Sequence, residues 1–170
     1  VVVSDQAHSS ITNALNITMM SALVVDTADG RLTGEAIRDA LDGASGLDDV
    51  CAVVATAGTT NAGIIDDIAG IGDVAREHGW WLHVDGAYGG AGMLAPEIRH
   101  RYDGVEQADS LVMDPHKWWF APFDSAALLY RDPESVVDPA KPKRTIPEVF
   151  FGMFKVLRRG RFVMFLVVSR

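Results

Sequence analysis

The stretch "WWLHVDGAYGG", residues 80–90, indicates most directly which fold the chain adopts. Apart from His83, its first five residues are apolar, as expected for a strand that is buried on both faces. Asp85 ends the run, and His83 shares its face; we expect a structural role for this histidine. The glycines and Ala87 that follow leave room for a flat ligand to approach the backbone. The stretch therefore predicts a buried strand with an open, polar loop at its carboxyl end.

The same arrangement recurs on both sides of this stretch. Helical patterns follow Thr33, a candidate N-cap, and occupy residues 66–79, where Gly79 is the expected stop. Alternation of such helices with short apolar runs predicts an α/β fold with a parallel or mixed sheet and flanking helices. In these sheets, functional residues gather just past the carboxyl ends of the strands. The further strand-like runs are residues 1–4, 22–25, 50–56, 110–114 and 125–131.

Lys117 occupies an unusual position in "LVMDPHKWWF", residues 111–120. It follows an apolar run and precedes three aromatic residues, 118–120. One interpretation is a side chain whose stem lies on apolar surface while its charged end reaches water. The other is an amine in an aromatic cleft that is neutral for part of the time and reacts as a nucleophile.

Three other polar residues follow strand-like runs. Asp85 either caps a turn or holds a positive charge on a bound group. His8, in "SDQAHSS", is either structural or lies flat against an aromatic ligand. In "TAGTTNAG", Thr60 can donate a hydroxyl to a ligand, while Thr59 or Asn61 can equally well cap the turn. No second His or Cys stands at metal-ligand spacing, so we expect no zinc site.

A pyridoxal phosphate site uses this set of residue types: a lysine, an aspartate, a histidine and a threonine. The amine of Lys117 would form a Schiff base with the aldehyde of the cofactor. Asp85 would keep the pyridine nitrogen protonated, and His8 would stack on the ring. Thr60 would add a hydrogen-bond donor.

Six motifs in consistent order also point to a known family: "SDQAHSS", "ATAGTT", "WLHVDGAYGG", "PEIRHRYDGVEQADS", "DPHKWW" and "FDSAALLYR". Over about residues 4–133 the chain resembles the pyridoxal-phosphate-dependent group II amino-acid decarboxylases, and the aromatic-L-amino-acid decarboxylase branch matches best. The resemblance implies that residues 1–133 are part of the large domain of the aspartate-aminotransferase-like fold (fold type I), with a mostly parallel sheet. It also implies that the full-length form is a homodimer.

The resemblance assigns roles to individual residues. Lys117 corresponds to the Schiff-base lysine, Asp85 to the partner of the pyridine nitrogen and His8 to the ring-stacking histidine. These three are the expected catalytic residues, and they also bind the cofactor. The other expected cofactor-binding residues are Thr60, Ala87, His116 near the phosphate, and Asp66 as a second carboxylate near the pocket. The implied reaction converts an L-amino acid, aromatic or related, to the amine and CO₂.

Other outcomes stay open at this stage. A different pyridoxal phosphate enzyme of the same fold, such as an aminotransferase or a C–C lyase, would yield a keto acid or an aldehyde, and a non-catalytic remnant would yield neither. Asp114 stands where many family members have Asn. The Ser/Gly-rich element that cradles the phosphate in the family lies upstream of the given residues. We therefore expect a fragment with weak or no activity of its own.

Composition and charge bear on partners and location. With 48% hydrophobic and 22% charged residues, the 170-residue chain has an ordinary globular composition. Residues 1–133 have a charge balance of −13, which argues against nucleic acid as the main partner. The partner that the resemblance implies is a small molecule, the amino-acid substrate. Residues 134–170 have a balance of +5 and form an atypical basic and apolar tail, which we interpret as frame-shifted or mis-joined. This tail is too charged for a spanning helix. A basic segment that lies on a membrane surface is an alternative, but we prefer the frame-shifted or mis-joined interpretation and expect no membrane partner. The single Cys51 and the lack of a signal-peptide pattern predict a cytoplasmic location.

Overall fold

A computed structural model of the chain describes residues 1–42, 47–132, 157–158 and 163–168. Its strands are β1 (Val2–Ser4), β2 (Leu23–Val25), β3 (Ala52–Thr56), β4 (Trp81–Asp85), β5 (Ser110–Met113), β6 (Ser125–Tyr130), β7 (Leu157–Arg158) and β8 (Val163–Val168). Its α-helices are α1 (Ser9–Thr18), α2 (Gly34–Asp42) and α3 (Ile68–His78). Short 3₁₀ helices occupy Leu47–Asp49, Gly89–Leu94, Arg99–Tyr102 and Val105–Gln107.

The strands form one sheet in the order β2-β1-β3-β4-β5-β6-β8-β7. The first five strands in this order are parallel, whereas β6 runs antiparallel to β5 and β8 antiparallel to β6. Thr56 pairs with Asp85, and Asp85 pairs with Val112, so the carboxyl ends of β3, β4 and β5 lie side by side. The predicted mostly parallel sheet with flanking helices is confirmed. Its register brings the polar loops that follow these three strands to one edge.

The main core lies between one face of the sheet and the helices α2 and α3. On β4, Leu82 and Val84 point into this core and are at most 1% exposed. They pack with apolar residues of α2 and α3 that include Ile37, Ile71 and Val74. Because side chains alternate along a strand, the other residues of β4 face the opposite side of the sheet. That opposite side holds the cavity described below.

The predicted caps of α2 and α3 explain where these helices begin and end. Thr33 Oγ1 accepts a hydrogen bond from the Ala36 N–H at 3.1 Å, which confirms Thr33 as the N-cap of α2. Asp67 caps α3 by accepting from the Gly70 N–H at 3.3 Å. Gly79 ends α3 in the left-handed conformation (φ 71°), as its position after the apolar stripe predicts.

Helix α1 is absent from the prediction, which left residues 9–18 without an assigned element. Its sequence, "SSITNALNIT", contains β-branched and short polar residues that lower helix propensity, and only Leu15 is buried. The helix begins at an unusual N-cap, His8, whose ring Nδ1 accepts from the Ser10 N–H at 3.2 Å. Sequence propensity alone therefore gives little sign of this helix.

The predicted tail is only partly covered. Residues 138–147, expected to be linker-like, lie outside the described residues, while β7 and β8 within the tail extend the sheet beyond β6. In the part of the chain that the structure describes, no helix combines the length and the apolar character needed to cross a membrane.

Candidate functional site

A cavity of about 480 Å³ lies against the sheet face opposite α2 and α3. Helix α1 forms part of its wall through Ile11, Ala14 and Leu15. The residues of β4 that do not enter the core, Trp81 and His83 among them, also line it. Five of the seven residues expected from the sequence to form the site are among the lining residues: His8, Thr60, Asp85, Ala87 and Lys117.

Lys117 reaches the cavity by way of a tight turn after β5. Pro115 follows Asp114, and the Lys117 N–H donates to the Asp114 carbonyl at 2.9 Å. The same turn brings Lys117 Nζ to 2.8 Å from Asp114 Oδ2, an ion pair that sequence reasoning missed. The lysine side chain is 37% exposed and the aspartate side chain 14%. The reactive amine expected at this position therefore has a carboxylate as its direct neighbour.

The aromatic residues after Lys117 do not form the expected cleft around its amine. Trp118 is 46% exposed, Trp119 40% and Phe120 92%. Trp118 makes an edge-on contact with Tyr88, with ring centroids 5.3 Å apart. The cavity-lining residues Asp114 and Tyr88, rather than Trp119 and Phe120, are thus the neighbours that shape this end of the cavity.

Asp85 is the last residue of β4 and is fixed by the loop that follows it. Its Oδ1 accepts a hydrogen bond from the Ala87 N–H at 3.1 Å. This bond orients the carboxylate at the strand end and leaves its other oxygen available to a ligand. The small side chain of Ala87 lines the cavity beside it.

His83 takes part in a polar network on the cavity side of the sheet. The Trp81 Nε1–H donates to Ser110 Oγ at 2.8 Å, and His83 Nδ1 lies 2.8 Å from the same oxygen. Since an indole N–H can only donate, the hydroxyl hydrogen of Ser110 remains available to His83. Burial lowers the pKa of His83, and the Asp85 carboxylate acts in the opposite direction. These bonds are the kind expected for a histidine with a structural role. The sequence did not indicate its partner Ser110, which lies opposite His83 where β4 pairs with β5.

His8 is held by its role as the N-cap of α1. Its Nδ1 lies 2.8 Å from Ser10 Oγ and accepts from the Ser10 N–H. A nitrogen that accepts a hydrogen bond carries no proton, so the proton of the neutral ring is on Nε2. The exposed ring thereby has a defined orientation at the mouth of the cavity.

The two threonines of the β3–α3 loop have different roles. The sequence alone left open which residue of this loop caps the turn and which faces a ligand. Thr59 is 4% exposed, and its Oγ1 accepts from the Ile64 N–H at 3.1 Å. Its own N–H donates to the Ile64 carbonyl at 2.9 Å. Thr59 therefore fixes the loop, whereas Thr60 is exposed and lines the cavity.

Asp66 and His116 are not among the residues that line the cavity. Asp66 is 1% exposed and accepts from the Leu32 N–H at 2.8 Å and from the Thr56 N–H at 2.6 Å. Burial raises the pKa of Asp66 to about 6, although both hydrogen bonds act in the opposite direction. His116 Nδ1 accepts from the Ser125 N–H at 3.0 Å and lies 3.4 Å from Asp124 Oδ1. Both residues support loops next to the cavity, and their contact with a cofactor stays a prediction.

Comparison with known proteins identifies the family to which this chain is related. A sequence model described as the pyridoxal-dependent decarboxylase conserved domain matches residues 1–142. The aromatic-L-amino-acid decarboxylase of Drosophila melanogaster is 41% identical over 137 residues, which cover 79% of this chain and 27% of the relative. The histidine decarboxylase of the same species is 41% identical over 138 residues, covering 78% of this chain and 16% of that protein.

Solved structures show the same relationship. The crystal structure of Catharanthus roseus tryptophan decarboxylase in complex with L-tryptophan has a TM-score of 0.72 and 30% identity to this chain. The match covers 78% of this chain and 30% of that one. The chain spans about a quarter of the length of the curated aromatic-L-amino-acid decarboxylase it matches. Since the family match extends over residues 1–142, the chain belongs to the pyridoxal-dependent decarboxylase family.

Proposed function

We propose that this protein is part of a pyridoxal-phosphate-dependent decarboxylase that converts an aromatic or related L-amino acid to the amine and CO₂. The observation that carries the proposal is the convergence of an amine, a carboxylate, an imidazole and a hydroxyl on one cavity. These groups belong to Lys117, Asp85, His8 and Thr60, which come from four separate segments of the chain.

The residues of the cavity fit this cofactor. Pyridoxal phosphate, when bound, supplies an aldehyde that can join an amine and an electron-accepting pyridine ring. Lys117 provides the amine, and Asp85 provides a fixed carboxylate for the protonated ring nitrogen. The small side chain of Ala87 and the exposed ring of His8 provide surfaces for a flat group.

Each residue has a distinct task in the proposed reaction. Lys117 would hold the cofactor covalently until an amino acid takes its place, and its amine would then be placed to return a proton to the Cα atom of the product. Asp85 would hold the proton on the ring nitrogen, which its bond to the Ala87 N–H helps by fixing the carboxylate. His8 would stack on the ring, and Thr60 would donate its hydroxyl. We further propose that His116 lies near the phosphate and that Asp66 supports the cofactor pocket through the β3–α3 loop.

The substrate class in this proposal is supported by the relatives rather than by the cavity. Two relatives with the same 41% identity are named for different amino acids, aromatic L-amino acids in one case and histidine in the other. Both names denote amino acids with planar rings. A planar-ring L-amino acid is therefore the substrate class we propose.

The assembly and the location belong to the same proposal. We expect the full-length form to be a homodimer with no membrane or nucleic-acid partner. Exposed large side chains near Lys117, including Trp118, Phe120 and Phe123, are consistent with a surface that a second subunit covers. The free, half-buried Cys51 is consistent with a cytoplasmic location.

The direct test measures products from carboxyl-labelled L-tryptophan, L-DOPA and L-histidine with added pyridoxal phosphate. We expect slow release of labelled CO₂ with an equal amount of amine, and no release by Lys117→Ala. Asp85→Asn keeps the size and the hydrogen bond of the side chain but removes its charge, so we expect release to fall about 100-fold. A keto acid or an aldehyde in place of the amine would contradict the proposal. Cofactor binding with no CO₂ release would indicate a fragment that binds the cofactor without activity of its own, the non-catalytic outcome that the sequence left open.

A further inference from the structure

We propose that Asp114 is a specificity-determining residue that disfavours negative charge on an aldehyde joined to Lys117. Of two aldehydes with the same ring, one with a phosphate and one without, a cavity with Asp114 selects against the phosphorylated one more strongly than a cavity with Asn at this position. This role rests on the proposed function, in which the Lys117 amine joins an aldehyde. The observation that carries it is the contact between the two side chains at the cavity.

The Asp114 carboxylate lies next to the nitrogen atom that would join the aldehyde. Strand β5 ends at Met113, and Asp114 is the next residue. The Lys117 N–H donates to the Asp114 carbonyl at 2.9 Å, and the turn that this bond closes brings Lys117 Nζ to 2.8 Å from Asp114 Oδ2. Any group that joins Nζ is therefore built in the immediate neighbourhood of this carboxylate.

The covalent structure of pyridoxal phosphate brings its phosphate to the same neighbourhood. The phosphate is attached through one methylene to the ring carbon adjacent to the carbon that bears the aldehyde, so it lies only a few bonds from the nitrogen that the aldehyde joins. A phosphate monoester carries a charge of about −1.5 to −2 at pH 7. Charges within the Debye length, about 8–10 Å at moderate salt, are only partly screened by dissolved ions. The Asp114 carboxylate therefore repels the phosphate of an aldehyde held at Nζ.

The charged side chains of the described lining leave this repulsion without a second cation to offset it. Among the described residues that line the cavity, Lys117 is the one lysine or arginine, and Asp85 adds a second carboxylate. Burial lowers the pKa of His83, which favours the neutral ring. His8 accepts through Nδ1 from the Ser10 N–H, so this nitrogen carries no proton.

The burial of Asp114 strengthens its effect on a neighbouring charge. Its side chain is 14% exposed, compared with 37% for the side chain of Lys117. Less water around the carboxylate means a lower effective dielectric constant and a larger interaction with a charge nearby. Because the lysine side of the pair is open to water, we expect a change of several-fold in selectivity rather than complete exclusion of the phosphate.

The test compares labelling of Lys117 by pyridoxal phosphate and by pyridoxal, which has a hydroxyl in place of the phosphate. The amine forms a carbon–nitrogen double bond with the aldehyde carbon, and the aldehyde oxygen leaves as water. Borohydride then adds a hydride to that carbon, the nitrogen takes a proton from water, and a stable secondary amine results. Both aldehydes compete in one sample at pH 7.5, and peptide mass spectrometry distinguishes the two labels at Lys117 by their masses.

Two variants remove the charge in different ways. Asp114→Asn keeps the size of the side chain, and we expect the ratio of phosphorylated to unphosphorylated label at Lys117 to rise about three- to tenfold. A general change in the reactivity of the amine acts on both aldehydes equally and cancels in this ratio. Asp114→Ala offers no amide N–H to a phosphate, and we expect the ratio to rise in this variant too. It gives the same test of the charge if Asp114→Asn does not fold.

Two further variants serve as matched controls. Asp114→Glu keeps the charge and should give the ratio of the parent protein. Glu97→Gln removes an exposed carboxylate outside the cavity lining and should also give the parent ratio. An unchanged or lower ratio in the variants that lack the charge would overturn the proposal. A rise in Asp114→Asn without a rise in a folded Asp114→Ala would also overturn it, because the new amide donor would then be the cause.

The outcomes separate this role of Asp114 from the proposed function. Labelling of Lys117 with the same ratio in every variant would overturn the role of Asp114 and leave the proposed function intact. Absence of labelling at Lys117 by both aldehydes would contradict both, because each depends on an amine that joins an aldehyde.

Discussion

At the scale of single residues, the buried Asp66 carboxylate holds together two segments of the chain without lining the cavity itself. Its two oxygens accept from the Leu32 and Thr56 N–H groups, so it joins the segment before α2 to the end of β3. Strand β3 leads directly into the loop that carries Thr60. A change at Asp66 therefore affects stability first and the cavity second.

The pH dependence of stability tests this role. Because burial raises the pKa of Asp66 from 3.8 to about 6, the folded protein holds this proton more tightly than the unfolded chain does. The resulting contribution is fully present below about pH 4 and is lost as the pH rises through 6. We expect it to be on the order of 2–3 kcal/mol in the free energy of unfolding.

Urea unfolding of the parent protein and of Asp66→Asn between pH 4.5 and 7.5 measures this contribution. The variant cannot take up the proton. The free energy of unfolding of the parent protein minus that of the variant should therefore fall as the pH rises. A difference that is constant over this range would show that Asp66 does not titrate as described.

Much of the residue-scale site could be predicted from the sequence. Lys117, Asp85, His8 and Thr60 each follow a strand-like run, and all four line the cavity. The ion pair with Asp114 could not be predicted, because it depends on how the turn after β5 closes. For the same reason, the exposure of the aromatic residues 118–120 was not foreseen.

At the scale of elements, helix α1 depends on the residue that begins it. Its sequence has low helix propensity, and His8 provides the side-chain acceptor for the Ser10 N–H. His8 thus has two separable tasks: an Nδ1 that caps the helix and a ring that faces the cavity. The sequence motif predicted that the ring faces a ligand, whereas the capping role of Nδ1 is seen only in the structure.

Two substitutions of His8 separate these tasks. Asn is a good N-cap but has no ring, whereas Ala has neither. We expect His8→Asn to keep the thermal stability of the parent protein and His8→Ala to lose about 1 kcal/mol. Both should weaken cofactor binding to a similar extent, as measured by fluorescence titration with pyridoxal phosphate. Unchanged binding in both variants would contradict the role of the ring.

A second element-scale feature is the close contact between the loops that follow β3 and β4. A Cβ atom on Gly89 would lie 2.5 Å from the Ala57 carbonyl oxygen and 2.8 Å from Gly58 Cα. Tyr102 Oη also donates to the Gly89 carbonyl at 2.7 Å, which holds this segment in place. The spacing of the two strand ends at the cavity therefore requires glycine at position 89.

Gly89→Ala should force these loops apart. We expect a loss of about 1–3 kcal/mol in the free energy of unfolding and about tenfold weaker binding of pyridoxal phosphate. The matched control is Gly79→Ala at the end of α3, where φ is 71° and no atom lies within 4 Å of the added carbon. It should lose about 1 kcal/mol through backbone strain without a change in binding. Equal effects on binding in the two variants would contradict the account.

At the scale of the whole molecule, the sheet divides the protein into a core side and a cavity side. Leu82 and Val84 pack under α2 and α3, while Trp81, His83 and Asp85 face the cavity. Strand β4 thus links the stability of the core to the placement of the site. The apolar runs and helical stripes of the sequence were sufficient to predict the fold class.

The order of the strands could not be predicted in the same way. The sequence predicts which segments are strands, but crossover connections determine that β1 lies between β2 and β3. Likewise, the antiparallel direction of β6 follows from the short connection after Lys117. Strand order and direction therefore depend on the connections between the strands, which the apolar runs alone do not encode.

The central claim is that the amine of Lys117 is the attachment point for pyridoxal phosphate. The most direct measurement incubates the protein with pyridoxal phosphate, reduces the adduct with borohydride and locates the added mass by peptide mass spectrometry. We predict one saturable site at Lys117 that is lost in Lys117→Arg. Labelling only at the other lysines, Lys141, Lys143 and Lys155, or labelling that persists unchanged in Lys117→Arg, would contradict the claim.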